Sequence, residues 1–129
     1  MKKPSRKKLE KECYSLWAEI VKLLAHNRSE ISGKTGVLHA HHIFHRGSNT
    51  NLRYDLNNGV CLTSGEHFKL HMQGMPELVT LLIEKRGKIW YNVLMEKRRE
   101  PTIKRTISDI TEIRDTLKSI LENKKKEIK

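Results

Sequence analysis

Long apolar stripes at helical spacing mark both ends of the chain and limit its fold more than any other feature. Near the N-terminus, apolar residues recur three and four positions apart with Lys and Glu between them, which predicts an amphipathic helix over about residues 6–25. This stripe contains Leu9, Cys13, Leu16, Trp17, Ile20, Leu23 and Leu24.

A second stripe predicts a last helix that opens at Thr106. Asp109 lies three positions later and completes a variant of the capping box. The apolar positions of this helix are Ile107, Ile110, Ile113, Leu117, Ile120 and Leu121. We expect the basic run from Lys124 to Lys126 to be frayed. Because both stripes are long for so small a body, a homodimer that pairs these helices is a further expectation.

Short apolar segments bounded by turn residues predict two strands in the middle of the chain. Residues 37–44 form the first and residues 59–62 the second, after a polar loop over residues 26–36. Thr63 or Ser64 is predicted to cap a helix that runs to about Met72.

Two more short helices follow. One is predicted from Pro76 to a stop at Gly87, and one around residues 89–94 that ends before Pro101. A chain of 129 residues suffices for one domain that buries roughly two thirds of its unfolded surface. The pattern therefore predicts a mainly helical α+β single domain.

The charge distribution indicates a nucleic-acid partner. The chain carries 26 Lys and Arg against 15 Asp and Glu, a formal charge of +11. Residues 1–34 contribute +5 and residues 81–129 contribute +6, whereas residues 35–80 are neutral and hold six of the seven histidines. This layout suggests a chemical centre between two basic arms, with DNA as the expected partner.

Other features indicate a cytoplasmic chain, which would be the host cytoplasm if the protein is phage-encoded. No window approaches the ~18 apolar residues that a membrane span needs, and no secretory signal follows the Lys-rich start. Cys13 and Cys61 are far apart and fit no zinc spacing, so neither a disulfide framework nor a cysteine metal site is expected.

Four histidines form a pattern suited to phosphodiester chemistry. His67 and His71 lie four apart on a predicted helix, so both imidazoles can hold one metal ion, although this spacing also occurs by chance. His41 and His42 lie on a predicted strand and could place a metal ligand beside a proton acceptor. Since adjacent strand residues face opposite sides, both reach one phosphate only if the strand ends or twists there, as Arg46-Gly47 suggests.

The order of these parts resembles the HNH endonuclease family, in particular its phage-type members. The resemblance covers about residues 29–72 and is carried by His41-His42-Ile43, Asn58-Gly59-Val60-Cys61-Leu62, His67 and His71. It implies the ββα-metal finger: two strands, the loop between them and a helix. Residues 1–28 would then be a basic N-terminal helix, residues 29–73 the catalytic core and residues 74–129 a helical extension.

The resemblance also implies a role for each matching position. His42 would be the general base and His41 a metal ligand. Asn58 would be the asparagine that pins the loop and orients the base. His67 would bind the metal, and His71 resembles the additional histidine ligand of colicin-type members. The alternatives are purely structural roles: His41 and His42 as hydrogen-bonded strand residues, and Asn58 as a turn residue.

The chain departs from the family at the structural zinc. Many phage-type members carry two Cys-x-x-Cys pairs, and the matching positions here are Ser29, Ser32, Thr63 and Glu66. None is a thiolate, so no structural zinc is expected, and packing by the terminal helices would have to replace it.

Residues outside the motif receive weaker predictions. Arg46, Arg53 and Lys69 are predicted to contact nucleic acid, although Arg53 could equally brace the loop through Asp55. His39 and His45 are interpreted as structural residues, Trp17 and Trp90 as core, and the basic runs of the flanks, Lys97-Arg98-Arg99 included, as solvated helix faces.

The leading hypothesis is a DNA endonuclease that uses one divalent ion, which could be Mg²⁺, Mn²⁺, Ni²⁺ or Zn²⁺. Imidazole ligands suit the transition metals better than Mg²⁺. The alternative hypothesis is a non-catalytic DNA-binding module with a structural ββα finger.

Overall fold

The protein is a mainly helical α+β domain with one two-stranded sheet, as the sequence predicts. The computed structural model describes residues 5–45, 50–73 and 76–128, without the side chains of residues 71–76 and 128. Within these ranges the regular elements are α1 (Arg6–Leu24), β1 (Leu38–His42), β2 (Gly59–Thr63), α2 (Ser64–Gln73), α3 (Pro76–Arg86), α4 (Lys88–Arg99) and α5 (Ile107–Ile128). Two short 3₁₀ turns, Thr50–Leu52 and Leu56–Asn58, lie between the strands.

The helices α1 and α5 pack side by side and run in the same direction. The Cys13 thiol lies 3.5 Å from the Ile110 carbonyl oxygen, and an ion pair joins Glu19 to Lys125 nearer the C-terminal ends of both helices. Their facing stripes form the first hydrophobic core, made of Leu9, Cys13, Trp17, Ile20, Val21, Ile110, Leu117 and Leu121. The stripes that suggested a homodimer thus bury much of their surface within one chain, and the homodimer stays a prediction.

The end of α5 differs from the expectation. Lys124 to Lys126 were expected to fray, but the helix continues to Ile128. Lys124 pairs with Glu127 at 3.3 Å and Lys125 with Glu19 at 3.5 Å, so acidic neighbours offset part of the basic run. Cations in the last turn also interact favourably with the helix dipole.

The sheet lies between α1 and the helices α2 and α3. The two strands are antiparallel, with Leu38 opposite Thr63 and His42 opposite Gly59. A second hydrophobic core joins the end of β1, β2, α2 and α3 through Ile43, Val60, Leu62, Leu70, Leu78 and Leu82. Because β2 is covered by helices on both of its faces, all of its residues except Thr63 are buried.

Two capping boxes begin helices where the sequence predicts them. The Thr63 hydroxyl accepts from the Glu66 N–H at 3.2 Å and the Glu66 carboxylate from the Thr63 N–H at 2.9 Å, so Thr63 rather than Ser64 is the cap. Thr106 and Asp109 form the same reciprocal pair at 3.1 and 2.8 Å. Helix α2 therefore follows β2 without an intervening loop.

Neither cysteine takes part in a disulfide. Cys13 and Cys61 are both buried free thiols, and burial raises the pKa of each, which keeps the thiols protonated.

No helix in the described part of the chain combines the length and the apolar character needed to cross a membrane.

Close packing between α1 and the start of β2 predicts a sharp intolerance to larger side chains at Gly59. A Cβ atom there would overlap the Val21 side chain and lie 2.9 Å from Cζ2 of Trp17, whereas a Cβ at Gly65 meets nothing within 4 Å. We expect Gly59→Ala to lower the free energy of unfolding by about 1–3 kcal/mol and Gly65→Ala to be neutral or stabilising. Urea unfolding of both variants measures this, and equal stabilities would contradict the packing described.

Candidate functional site

Strand β1 directs its two adjacent histidines to opposite sides of the sheet. The strand ends at His42, whose ring lies against α1, whereas the ring of His41 lies against α2. This is the alternation expected of neighbouring strand residues. The site therefore has two halves, one on each side of the end of β1.

A backbone carbonyl holds His42 in one orientation. Nε2 of His42 lies 2.8 Å from the carbonyl oxygen of Arg53, in the loop between the strands. A carbonyl oxygen only accepts hydrogen bonds, so we assign the imidazole proton to Nε2. In the neutral ring, Nδ1 then carries the lone pair that can accept a proton.

Trp17 of α1 supports the same imidazole from its face. The two rings are parallel within 6° and their centroids are 3.9 Å apart. The indole Nε1 also donates to the Asp55 carbonyl oxygen at 3.0 Å, so Trp17 contacts both His42 and the loop that holds it. Trp17 is buried, as predicted, but sequence reasoning missed its contact with His42 because the pattern of α1 does not indicate which strand residue it meets.

Asn58 ties the loop to the end of β1. Its side chain is fully buried, and Oδ1 accepts from the Phe44 N–H at 2.9 Å. Nδ2 donates to the carbonyl oxygens of Phe44 and Leu52, at 3.0 and 3.2 Å. Since Leu52 precedes Arg53, these bonds position the carbonyl that contacts His42. Asn58 is therefore more than a turn residue.

On the other side of β1, an imidazole of the strand meets one of the helix. The ring centroids of His41 and His67 are 4.3 Å apart. His39 lies on the same side, with its ring 6.2 Å from that of His67 and its Nε2 3.0 Å from the Ser64 hydroxyl. The structure thus brings together the strand and helix histidines predicted to share a metal ion.

The third predicted metal ligand cannot be placed. His71 belongs to α2, one turn after His67, but its side chain lies outside the described part of the structure. Among the side chains that are described, no group of three or more His, Cys, Asp or Glu residues is arranged to hold a metal ion. The metal site therefore stays a prediction that two described imidazoles support.

The residues predicted to contact nucleic acid have different surroundings. Arg46 lies outside the described residues, and Lys69 is exposed on α2. Arg53 does not brace the loop through Asp55: its guanidinium lies 4.0 Å from the Glu10 carboxylate, whereas Asp55 pairs with Lys97 at 2.7 Å. The loop reaches α4 through Asp55 and α1 through Arg53.

The four residues that the resemblance aligns with ligands of a structural zinc come together in space. The Glu66 carboxylate accepts a hydrogen bond from the Thr63 N–H at 2.9 Å, and the nearby hydroxyls of Ser29, Ser32 and Thr63 lower the pKa of its carboxyl. The Ser29 hydroxyl also accepts from the N–H groups of Ile31 and Ser32, each at 3.2 Å. A polar cluster of Ser29, Ser32, Thr63 and Glu66 thus lies where the loop before β1 meets the start of α2.

Helix α3 also holds the loop before β1. Lys85 donates to the carbonyl oxygens of Glu30 and Ile31 at 2.6 and 3.0 Å, and Arg86 pairs with the Glu30 carboxylate at 2.5 Å. Arg86 donates in addition to the Gly59 carbonyl oxygen at 2.7 Å. The terminal helices were the expected source of this stabilisation, and α3 contributes to it as well.

Comparisons with protein-family models, with curated proteins and with solved structures found no match to this chain. Chemical roles for these side chains consequently depend on their geometry and on the resemblance of the motif.

The buried hydrogen bonds of Asn58 predict a large cost for its truncation. Asn58→Ala leaves the Phe44 N–H and the carbonyl oxygens of Phe44 and Leu52 without these partners, and we expect a loss of at least about 2 kcal/mol in unfolding free energy. The exposed neighbour Asn57 serves as a control, because Asn57→Ala should change stability by less than about 0.5 kcal/mol. Chemical denaturation compares the two, and similar losses would argue against the pinning role of Asn58.

The Glu66 cluster predicts a specific acid sensitivity. Burial alone would raise the pKa of the Glu66 carboxyl, but the hydrogen bonds from Ser29, Ser32 and Thr63 outweigh it and the net pKa is lowered. A lowered pKa adds stability above the unfolded value of about 4.3, and this stability is lost as the pH falls through the folded pKa.

We therefore expect the wild type to lose more stability between about pH 6 and about pH 3 than Glu66→Gln does. Urea denaturation across this range measures the difference, with Glu122→Gln on the exposed face of α5 as the matched control. Parallel stability curves for the wild type and Glu66→Gln would show that the cluster does not depend on the carboxylate charge.

Proposed function

We propose that this protein is a metal-dependent endonuclease of the HNH class that hydrolyses DNA phosphodiester bonds. The observation that carries the proposal is the fixed imidazole of His42, bound by the Arg53 carbonyl and stacked on Trp17, one residue from the His41 and His67 pair. Because β1 ends at His42, a held proton acceptor on one face of the strand and two imidazole ligands on the other could reach one phosphate at that end, as this hydrolysis requires.

The local architecture supports the ββα-metal finger as the finer description of residues 29–73. Two antiparallel strands, a long connecting loop and a helix that starts directly after the second strand follow one another in that order. The proximity of Ser29, Ser32, Thr63 and Glu66 is also compatible with this description, because the resemblance aligns these four positions with ligands of one zinc ion.

In the proposed reaction, His42 acts as the general base. With its proton on Nε2 and donated to Arg53, its Nδ1 accepts a proton from the attacking water. The water oxygen forms a bond to phosphorus while the bond to the 3′ oxygen breaks, which leaves a 5′-phosphate and, after protonation, a 3′-hydroxyl. Trp17 and Asn58 are positioning residues, since they hold the imidazole and its carbonyl partner.

The donor set fits a divalent transition metal better than Mg²⁺. His41 and His67 offer imidazole nitrogens, and His71 is the predicted third ligand. A cation bound there would supply positive charge to the phosphate and to the leaving 3′ oxygen. Lys69 and Arg46 remain predicted phosphate contacts.

Cleavage of supercoiled plasmid tests the proposal. With Mn²⁺, Ni²⁺, Zn²⁺ or Mg²⁺ we expect nicked or linear product, no product with EDTA, and a fall of about 10²–10⁴-fold in rate for His42→Ala, because that variant lacks the proton acceptor. His26→Asn is a suitable control, since His26 is exposed, lies beyond the end of α1 and has a positive φ of 56° that Asn tolerates.

Measurements of metal binding distinguish the roles of the two halves of the site. By calorimetry with Mn²⁺ or Ni²⁺, His67→Ala should weaken binding and His42→Ala should leave it unchanged. An active His42→Ala variant would overturn the assignment of the base. If the protein retains DNA at low salt but cuts it with none of the metals, the non-catalytic DNA-binding module is the correct function.

A further inference from the structure

A basic segment at the end of α4 lies against the loop that holds His42. Over residues 97–105 the chain carries five basic residues and one acidic residue, Glu100. The basic residues are Lys97, Arg98, Arg99, Lys104 and Arg105. We refer to residues 97–105 as the basic segment. From the sequence alone, its first three basic residues are interpreted as an ordinary solvated helix face.

Side-chain contacts connect this segment to the candidate site. The Arg98 guanidinium lies 4.6 Å from the centre of the Phe44 ring, two residues beyond His42. Asn51 donates to the carbonyl oxygens of Lys97 and Glu100, at 3.2 and 2.7 Å. The end of α4 is thus attached both to the end of β1 and to the loop between the strands.

Arg105 makes a second attachment to the same loop. It donates to the Thr50 carbonyl oxygen at 2.8 Å, and its guanidinium lies 5.4 Å from the centre of the Tyr54 ring. Thr50 and Tyr54 lie on either side of Arg53, whose carbonyl contacts His42. The basic segment is therefore held in a defined position relative to the proposed base.

The basic residues differ in how they contribute to this attachment and in how exposed they are. Lys97 pairs with Asp55, and Arg105 is partly buried against the loop. Arg98, Arg99 and Lys104 are exposed. An arginine that stacks through its face keeps its N–H donors in the plane of the guanidinium, so the stacking of Arg98 on Phe44 is compatible with a phosphate contact.

We propose that Arg98, Arg99 and Lys104 form a DNA-backbone surface that binds phosphates beside the scissile bond and sets the position of the strand at His42. The inference rests on the proposed function, since the partner is the same DNA. Phosphate contacts fix register and orientation rather than sequence, so this surface provides affinity and positioning without base recognition.

Helix electrostatics provide a simpler reason for basic residues at the end of α4, because cations favour the last turn of any helix. Helix α5 offers a matched comparison, since its last turn also contains two exposed lysines, Lys125 and Lys126. Of these two basic groups, the basic segment is the one whose described side chains contact the loop of the site. Lys104 lies outside any helix, so the dipole does not account for it.

Fluorescence anisotropy with a labelled DNA duplex tests the proposal, in a His42→Ala background in which cleavage is expected to be slow. We expect Arg98→Glu/Arg99→Glu to weaken binding about tenfold or more and to reduce the slope of log K against log salt by about two. Lys125→Glu/Lys126→Glu makes the same change in charge and should weaken binding by less than about threefold. Thermal unfolding checks that each variant is folded.

Because Arg98 also contacts Phe44, a second pair keeps the test independent of folding. Arg99→Glu/Lys104→Glu alters two exposed residues and should also weaken binding about tenfold. Equal losses for the α4 and α5 pairs, no loss for either α4 pair, or no DNA binding by the parent protein would overturn the inference. Salt-sensitive binding through this segment without plasmid cleavage in the otherwise native chain would leave it standing while the nuclease proposal fails.

Discussion

The buried side-chain amide of Asn58 is the interaction on which the rest of the site depends. Its three hydrogen bonds connect the end of β1 at Phe44 to the loop at Leu52, and no water can replace them because the side chain is fully buried. The position of the Arg53 carbonyl follows from this connection, and the orientation of His42 follows from that carbonyl.

Three layers of the fold contribute to the site, so the short strand-and-helix motif is not sufficient by itself. Helix α1 provides Trp17, which stacks on His42, and the sheet separates this side from the His41 and His67 pair. The parallel packing of α5 holds α1 in place by burying its apolar stripe. Helix α4 approaches the same loop through Lys97 and Arg98. Contacts from residues distant in sequence thus hold the His42 imidazole in its orientation.

Polar side chains of the loop before β1 and of α2 come together at the positions that the resemblance aligns with zinc-binding cysteines. The Thr63 N–H donates to the Glu66 carboxylate, whose pKa the Ser29 and Ser32 hydroxyls lower, while Arg86 links Glu30 to the Gly59 carbonyl. Because the pKa of the Glu66 carboxyl is lowered, this cluster contributes more stability while the carboxylate is charged. Polar side chains therefore connect these segments in this chain, and we expect their contribution to stability to fall at low pH.

Local sequence determined most of the elements, because periodicity and capping act over a few residues: the limits of α1, the two strands and the capping boxes of Thr63 and Thr106 all follow from it. Local pattern also placed His41 and His42 on opposite faces of β1. Only tertiary structure decided which groups contact them, since Trp17 and the Arg53 carbonyl reach His42 from other parts of the chain. The pairing of Asp55 with Lys97 and the extension of α5 to Ile128 were likewise decided by contacts between distant segments. Such contacts depend on how helices and loops pack, and no spacing within one segment specifies them.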